Sequence, residues 1–129
     1  MDKALRYELN AIPEIQNKIY PVHAPEGKKP PYLVYMKSYF RQLKTFDGLK
    51  KEHEATYLLN ILCDSYAETQ ALTKKVKDKI KTFPLRTVGN DGIFVQEITF
   101  NNVSDTYENE LGLHRSIIEV TIYYKRSDE

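Results

Sequence analysis

Leu5, Leu9 and Ile12 recur at helical spacing and predict a first helix over Asp2–Ile12, with Pro13 interrupting it and opening a second short turn. Ile15 and Ile19 then share a face, and Asn17 is the residue expected to leave helical space, because asparagine tolerates the left-handed region. Between Ile19-Tyr20-Pro21 and Tyr32-Leu33-Val34-Tyr35 lie Ala24-Pro25-Glu26-Gly27 and Pro30-Pro31. Proline fixes φ and removes a donor, so this stretch predicts a stiff, nearly non-hydrogen-bonded crossing that delivers Tyr32–Tyr35 into the first strand.

Tyr32 to Leu43 reads as that strand, with Tyr32, Val34, Met36, Ser38 and Phe40 facing one way and Leu33, Tyr35, Lys37, Tyr39 and Arg41 the other. Leu43 to His53, with Asp47-Gly48 flanked by Lys44, Lys50 and Lys51, is too long for a tight turn and predicts a projecting loop. Ala55, Tyr57, Leu59, Ile61 and Cys63 alternate with Thr56, Leu58, Asn60 and Leu62, a strand covered on both sides. Ser65-Tyr66-Ala67-Glu68 has the spacing of a capping box and opens a helix to about Phe83, with Thr69, Leu72, Val76, Ile80 and Phe83 inward. Ile93–Phe100 and Leu113–Lys125 are two further strands, separated by a polar, acidic loop over Asn101–Leu111. The expected architecture is α+β: helix, strand, strand, helix, strand, strand, with helices on a four-stranded, mainly antiparallel sheet.

A length of 129 residues predicts a single domain, residues 1–129, large enough to bury roughly two thirds of its unfolded surface. With 41% hydrophobic and 29% charged residues the chain reads as globular and not disordered. No apolar run approaches the ~20 residues of a membrane span, and Met1–Arg6 lacks the apolar core of an export signal, so no membrane partner is expected. The lone Cys63 excludes an internal disulfide. A net charge of +1 argues against a nucleic-acid-binding face, although Tyr35, Tyr39 and Tyr57 would offer stacking surfaces if exposed beside basic residues.

Candidate chemistry changes little. His23, His53 and His114 are scattered, with no metal-ligand pair, and Cys63 continues an apolar strand face as a small hydrophobe. The acids between Asp105 and Glu110 have few apolar neighbours to separate their pKa values for acid–base work. Gly89-Asn90-Asp91-Gly92 precedes a strand, not a helix, and is therefore no phosphate loop. The lysines from Lys74 to Lys81 spread around their helix. No enzyme, catalytic residue, metal or cofactor is expected.

The ordered fragments carry a resemblance. Leu5 and Leu9, Pro13, Lys18, I-Y-P at 19–21, P-Y-L-V-Y at 31–35, Asp47-Gly48, Ser65-Tyr66-Ala67-Glu68 with Ala71-Leu72, Gly112-Leu113-His114-Arg115 and Tyr123-Tyr124 span nearly the whole chain. In this order and spacing the chain resembles the bacteriophage tail-completion, or tail terminator (tail-to-head joining), proteins of long-tailed phages. It departs from them at Asn17, where members often carry glycine, and at Leu62, where they often carry tryptophan.

The resemblance implies a structural virion protein, made in the bacterial host and placed at the tail–head interface. It would form a homo-oligomeric ring, commonly a hexamer, that caps the tail tube and docks to the head connector or head-closure protein. The alternatives are another small neck protein, such as a head-closure or adaptor ring component, and a nucleic-acid-binding α+β module. The expected contact residues come from the two long loops of opposite charge: Phe46 and Leu49 as apolar anchors, Lys50 and Lys51 on the basic side, and Asp105, Glu108 and Glu110 on the acidic side.

Overall fold

The computed structural model describes residues 1–45, 48–90 and 92–126, with the side chains at 43–45 and 48–51 outside that description. Its elements are α1 (Asp2–Leu9), a 3-10 turn (Pro13–Ile15), β1 (Ile19–Pro21), β2 (Tyr32–Thr45), β3 (Gly48–Cys63), α2 (Tyr66–Ile80), β4 (Arg86–Val88), β5 (Ile93–Glu108) and β6 (Leu113–Arg126). The sheet has six strands in the order β1-β2-β3-β6-β5-β4. All neighbours are antiparallel except β1 and β2, which run parallel.

This corrects the expected four-stranded antiparallel α+β sheet: the fold is mostly β, a mixed six-stranded sheet with two helices. The two additional strands are short. β1 is the I-Y-P segment itself, paired Ile19↔Leu33 to Pro21↔Tyr35, so the segment expected to run without hydrogen bonds begins as a sheet edge. β4 pairs Arg86↔Val95 to Val88↔Ile93.

Both expected loops are corrected as well. Leu43–Thr45 and Gly48–His53 belong to β2 and β3, which pair as far as Thr45↔Gly48, and Asn101–Glu108 continues β5 against β6 to Glu108↔Leu113. A register shift between Lys37 and Tyr39 also overturns the expected faces of β2. The extra residue puts Phe40 opposite Ala55 on the core face and Tyr39 opposite Thr56 on the other.

The core lies between the sheet and the helices. Leu33, Tyr35, Ala55, Tyr57, Leu59, Ile61, Ile118, Val120, Ile122 and Tyr124 point to the helix side and are buried with Leu5, Leu9, Leu72, Val76, Ile80 and Phe83. The Ser65 hydroxyl caps α2 by accepting from the Glu68 amide at 3.2 Å. α1 ends at Leu9, three residues early, and Asn17 takes φ 63° while its amide donates to the Asn10 side chain at 2.6 Å.

α1 ties distant strands together. At its start Asp2 accepts from the Tyr57 hydroxyl and lies 3.4 Å from Lys37 of β2. At its end the Glu8 carboxylate accepts from Arg86 of β4 at 2.9 Å and from the Gly89 amide at 2.9 Å, with Lys79 of α2 at 3.6 Å. Eight helical residues span about 12 Å, whereas β2 and β4 stand four strand spacings apart, about 19 Å in a flat sheet. The sheet must therefore curl around the helix. The approach at Gly89 is close enough that a Cβ there, at φ 64°, would lie 2.7 Å from the Ala4 Cα.

Candidate interaction surfaces

No cluster of ligating side chains capable of holding a metal occurs among the described residues. No helix among them is long and apolar enough to cross a membrane. Several charged groups are engaged in the scaffold: Lys74 with Asp78, Lys75 with Glu14, Lys79 with Glu8. Burial by itself would raise the Glu8 carboxyl, but hydrogen bonds from Arg86 and the Gly89 amide, and the charges of Arg86 and Lys79, hold it below its ordinary value. Burial and the Asp2 carboxylate push the Tyr57 hydroxyl far up, so it remains a donor. Cys63 is buried and burial raises its thiol, as suits a core residue.

Two of the three histidines pack against aromatic rings. His53 is buried and stacks between Phe40 and Tyr124, at 5.6 and 5.2 Å between ring centroids. His114 packs edge-on against Tyr66 and Tyr107. Tyr35 and Tyr57 lie in the core, so of the three candidate stacking tyrosines Tyr39 alone is exposed, and a base-stacking platform is not formed.

The sheet face away from the helices is polar at its centre. Thr56 and Thr121 share a hydrogen bond of 2.8 Å, and Asn101 donates to Thr121 at 2.8 Å, linking β3, β6 and β5. Towards one end the loop after β1 folds over this face and covers Tyr32, Val34, Leu62 and Leu113. Beneath that loop lies a cleft of about 360 Å³ whose walls include Tyr32, Met36, Asn60 and Arg115.

The predicted contact residues are placed as follows. Phe46 lies outside the described residues, as do the side chains of Leu49, Lys50 and Lys51, whose backbone belongs to the β2–β3 hairpin. Asp105 is on β5 and accepts from Gln70 of α2 at 2.9 Å. Glu108 ends β5 and pairs with Arg115 at 3.2 Å, and Glu110 is exposed in the β5–β6 turn. The two groups are not brought together. β3 pairs with β6 from Glu52↔Lys125 to Cys63↔His114, so the end of the β2–β3 hairpin and the β5–β6 turn lie at opposite ends of the sheet.

Sequence reasoning missed the two bare strand edges. β1 covers β2 only at Leu33–Tyr35, and β4 covers β5 only at Ile93–Val95. Beyond these, Met36–Arg41 and Glu97–Glu108 have no outer strand neighbour among the described residues. Tyr39, Phe40, Val103 and Tyr107 on these runs are 47%, 49%, 38% and 50% exposed. The signal lay in the unusual share of tyrosine, ten residues with no tryptophan, which suits surfaces that are half wet and half covered.

The family model of the tail completion protein gp17 matches residues 3–125, and the chain belongs to this family of phage structural proteins, whose place is the virion tail. The fold is similar to a chain in the virion of a native gene transfer agent particle, with TM-score 0.66 at 11% identity over 91% of this chain and 84% of that one. A second solved chain is similar with TM-score 0.55 at 11% identity over 96% of this chain and 87% of the other. No curated protein matches the sequence significantly.

Proposed function

We propose that this protein caps the tail tube at its head-proximal end and joins it to the head connector or head-closure protein as a homo-oligomeric ring, a hexamer in the family's pattern. It does so by shape and contact, with no reaction. The observation that carries this reading is the placement of the two hairpin ends. A joint between two unlike structures needs two unlike docking rims. The β2–β3 end, with Lys44, Lys50 and Lys51, is basic in sequence, and the β5–β6 end, with Asp105, Glu108 and Glu110, is acidic. Phe46 and Leu49 at the basic end would anchor one partner in an apolar contact, and Lys50 and Lys51 would fix its orientation.

The test is the light-scattering mass of the purified chain, alone and mixed with tail-tube protein. With a subunit of 15.1 kDa, a ring of six would weigh about 91 kDa. A ring-sized species bound to tube ends is expected, and the Lys50→Glu/Lys51→Glu variant should fold normally yet fail to join heads to tails. Binding to the connector alone, with no affinity for tubes, would instead make the protein a head-closure or adaptor component.

A further inference from the structure

We propose that the subunits of the ring join edge to edge, the bare run of β2 in one copy pairing with the bare run of β5 in the next, so that the sheet continues from subunit to subunit. The inference rests on the ring reading above and specifies its interface. Three observations point to a second copy of this chain as the occupant.

The first is that an open sheet with two uncovered edges offers backbone donors and acceptors on both sides of the same molecule. The two edges are different, which is the requirement for a heterologous contact that closes by rotation. The second is charge. Met36–Arg41 carries Lys37 and Arg41 and no acid, whereas Glu97–Glu108 carries Glu97, Asp105 and Glu108 and no base. Lys37 and Arg41 also pair within the chain with Asp2 and Glu54, and Glu108 with Arg115, yet each run presents charge of one sign along its edge, which disfavours symmetric dimers and favours head-to-tail pairing. The third is the exposure of Tyr39 and Phe40 on one run and of Val103 and Tyr107 on the other, apolar surface at the places a neighbouring strand would cover.

Strand direction agrees. β2 is antiparallel to β3, β3 to β6 and β6 to β5, so β2 and β5 point in opposite directions. A rotation axis to which the strands are inclined by an ordinary barrel tilt keeps their sense along the axis in every copy, and β5 of one subunit therefore meets β2 of the next as an antiparallel pair. Register shifts at Lys37/Tyr39 and Phe100/Asn102 leave Tyr39–Arg41 and Asn102–Glu108 as the regular stretches nearest the bare ends. These lie towards opposite ends of the sheet, so pairing them offsets neighbouring copies along the strands. That offset is the stagger required to close a ring of tilted strands.

The experiment uses two charge-reversed chains, Lys37→Glu/Arg41→Glu and Asp105→Lys/Glu108→Lys, with circular dichroism as the control for folding. The wild-type chain is sedimented alone up to millimolar concentration and on tail tubes. Each variant is expected to associate with itself at least about tenfold more weakly than wild type, because like charges then face each other across the joint. An equimolar mixture should recover the wild-type mass, since in alternation the two altered edges, acidic β2 and basic β5, meet each other and the two unaltered edges do likewise. Hydrogen exchange at Met36–Arg41 and Glu97–Glu108 should slow on assembly. Folded variants that assemble like wild type, or a mixture that stays dissociated, would overturn edge pairing. So would a wild-type chain that never multimerises, alone or on tubes. Tube binding is read separately, so loss of the interface and loss of the capping role are distinguishable outcomes.

Discussion

Ile93–Phe100 and Asn101–Tyr107 are consecutive halves of one strand, yet they inhabit different surroundings. In the first, Ile93 and Val95 are buried and Ile98 and Phe100 pack against the core, because α2 and β4 lie over and beside them. In the second every residue is exposed although the pairing with β6 is unbroken from Asn102 onward. β2 repeats the contrast at the diagonally opposite corner, with Leu33 and Tyr35 buried and Lys37–Phe40 exposed. The interior strands β3 and β6 show no such division along their central lengths. Backbone pairing can thus carry a strand beyond the body that stabilises it, and the overhanging corners present most of their side-chain surface outward. Stability should reside in the helix-covered base and association in the corners.

The strongest way to break that comparison is at Tyr57, buried at the centre of the base and bonded to Asp2. Tyr57→Ala should cost about 3–5 kcal/mol in urea denaturation, and a cost comparable to that of a corner residue would refute the division. Next comes Glu8, which joins α1 to α2, β4 and the Gly89 turn. Glu8→Ala should destabilise by about 1–3 kcal/mol at neutral pH. Because the folded carboxyl sits below its ordinary value of 4.5, this contribution is present above pH 4.5 and is lost as pH falls through the lower folded value. The gap between wild type and variant should therefore narrow on acidification, and a gap independent of pH would remove the charge from the explanation. Ser65→Ala should cost about 1 kcal/mol through loss of the α2 cap, measured by thermal melting. Smallest of all, Tyr107→Ser at the bare corner should change monomer stability by less than about 0.5 kcal/mol, and a larger loss would place that corner within the cooperative core.

The division also explains which parts of the fold could be read from the residues. α2 was legible because its cap and its inward stripe are both local signals, and β3 and β6 were legible because burial on the helix side enforces alternation at Ala55–Cys63 and Ile118–Tyr124. The second half of β5 was not, since a strand exposed on both faces at its residues has no periodicity to display, and its polar residues imitate a loop. The basic hairpin over Lys44–Lys51 misled because its lysines and Asp47-Gly48 read as a loop in sequence. In β2 one extra residue near Ser38 inverted the faces that followed, a displacement invisible to a period-two pattern. β1 and β4 are strands only by virtue of a neighbour. The candidate contact residues were legible as charge of opposite sign, but their separation to opposite ends depends on long-range pairing, as do the bare edges themselves.

Cys63 has a practical consequence. It is the chain's single thiol, it ends β3 beneath the start of α2, and it is buried. A thiol reagent in solution therefore meets a closed door, and labelling proceeds only during the moments when that seam comes apart. The rate of a one-site covalent reaction thus becomes a clock for local opening, read without any engineered probe. Run on the free chain and on the chain engaged with its partners, the same clock would report how far docking at the rim stiffens a seam deep in the base.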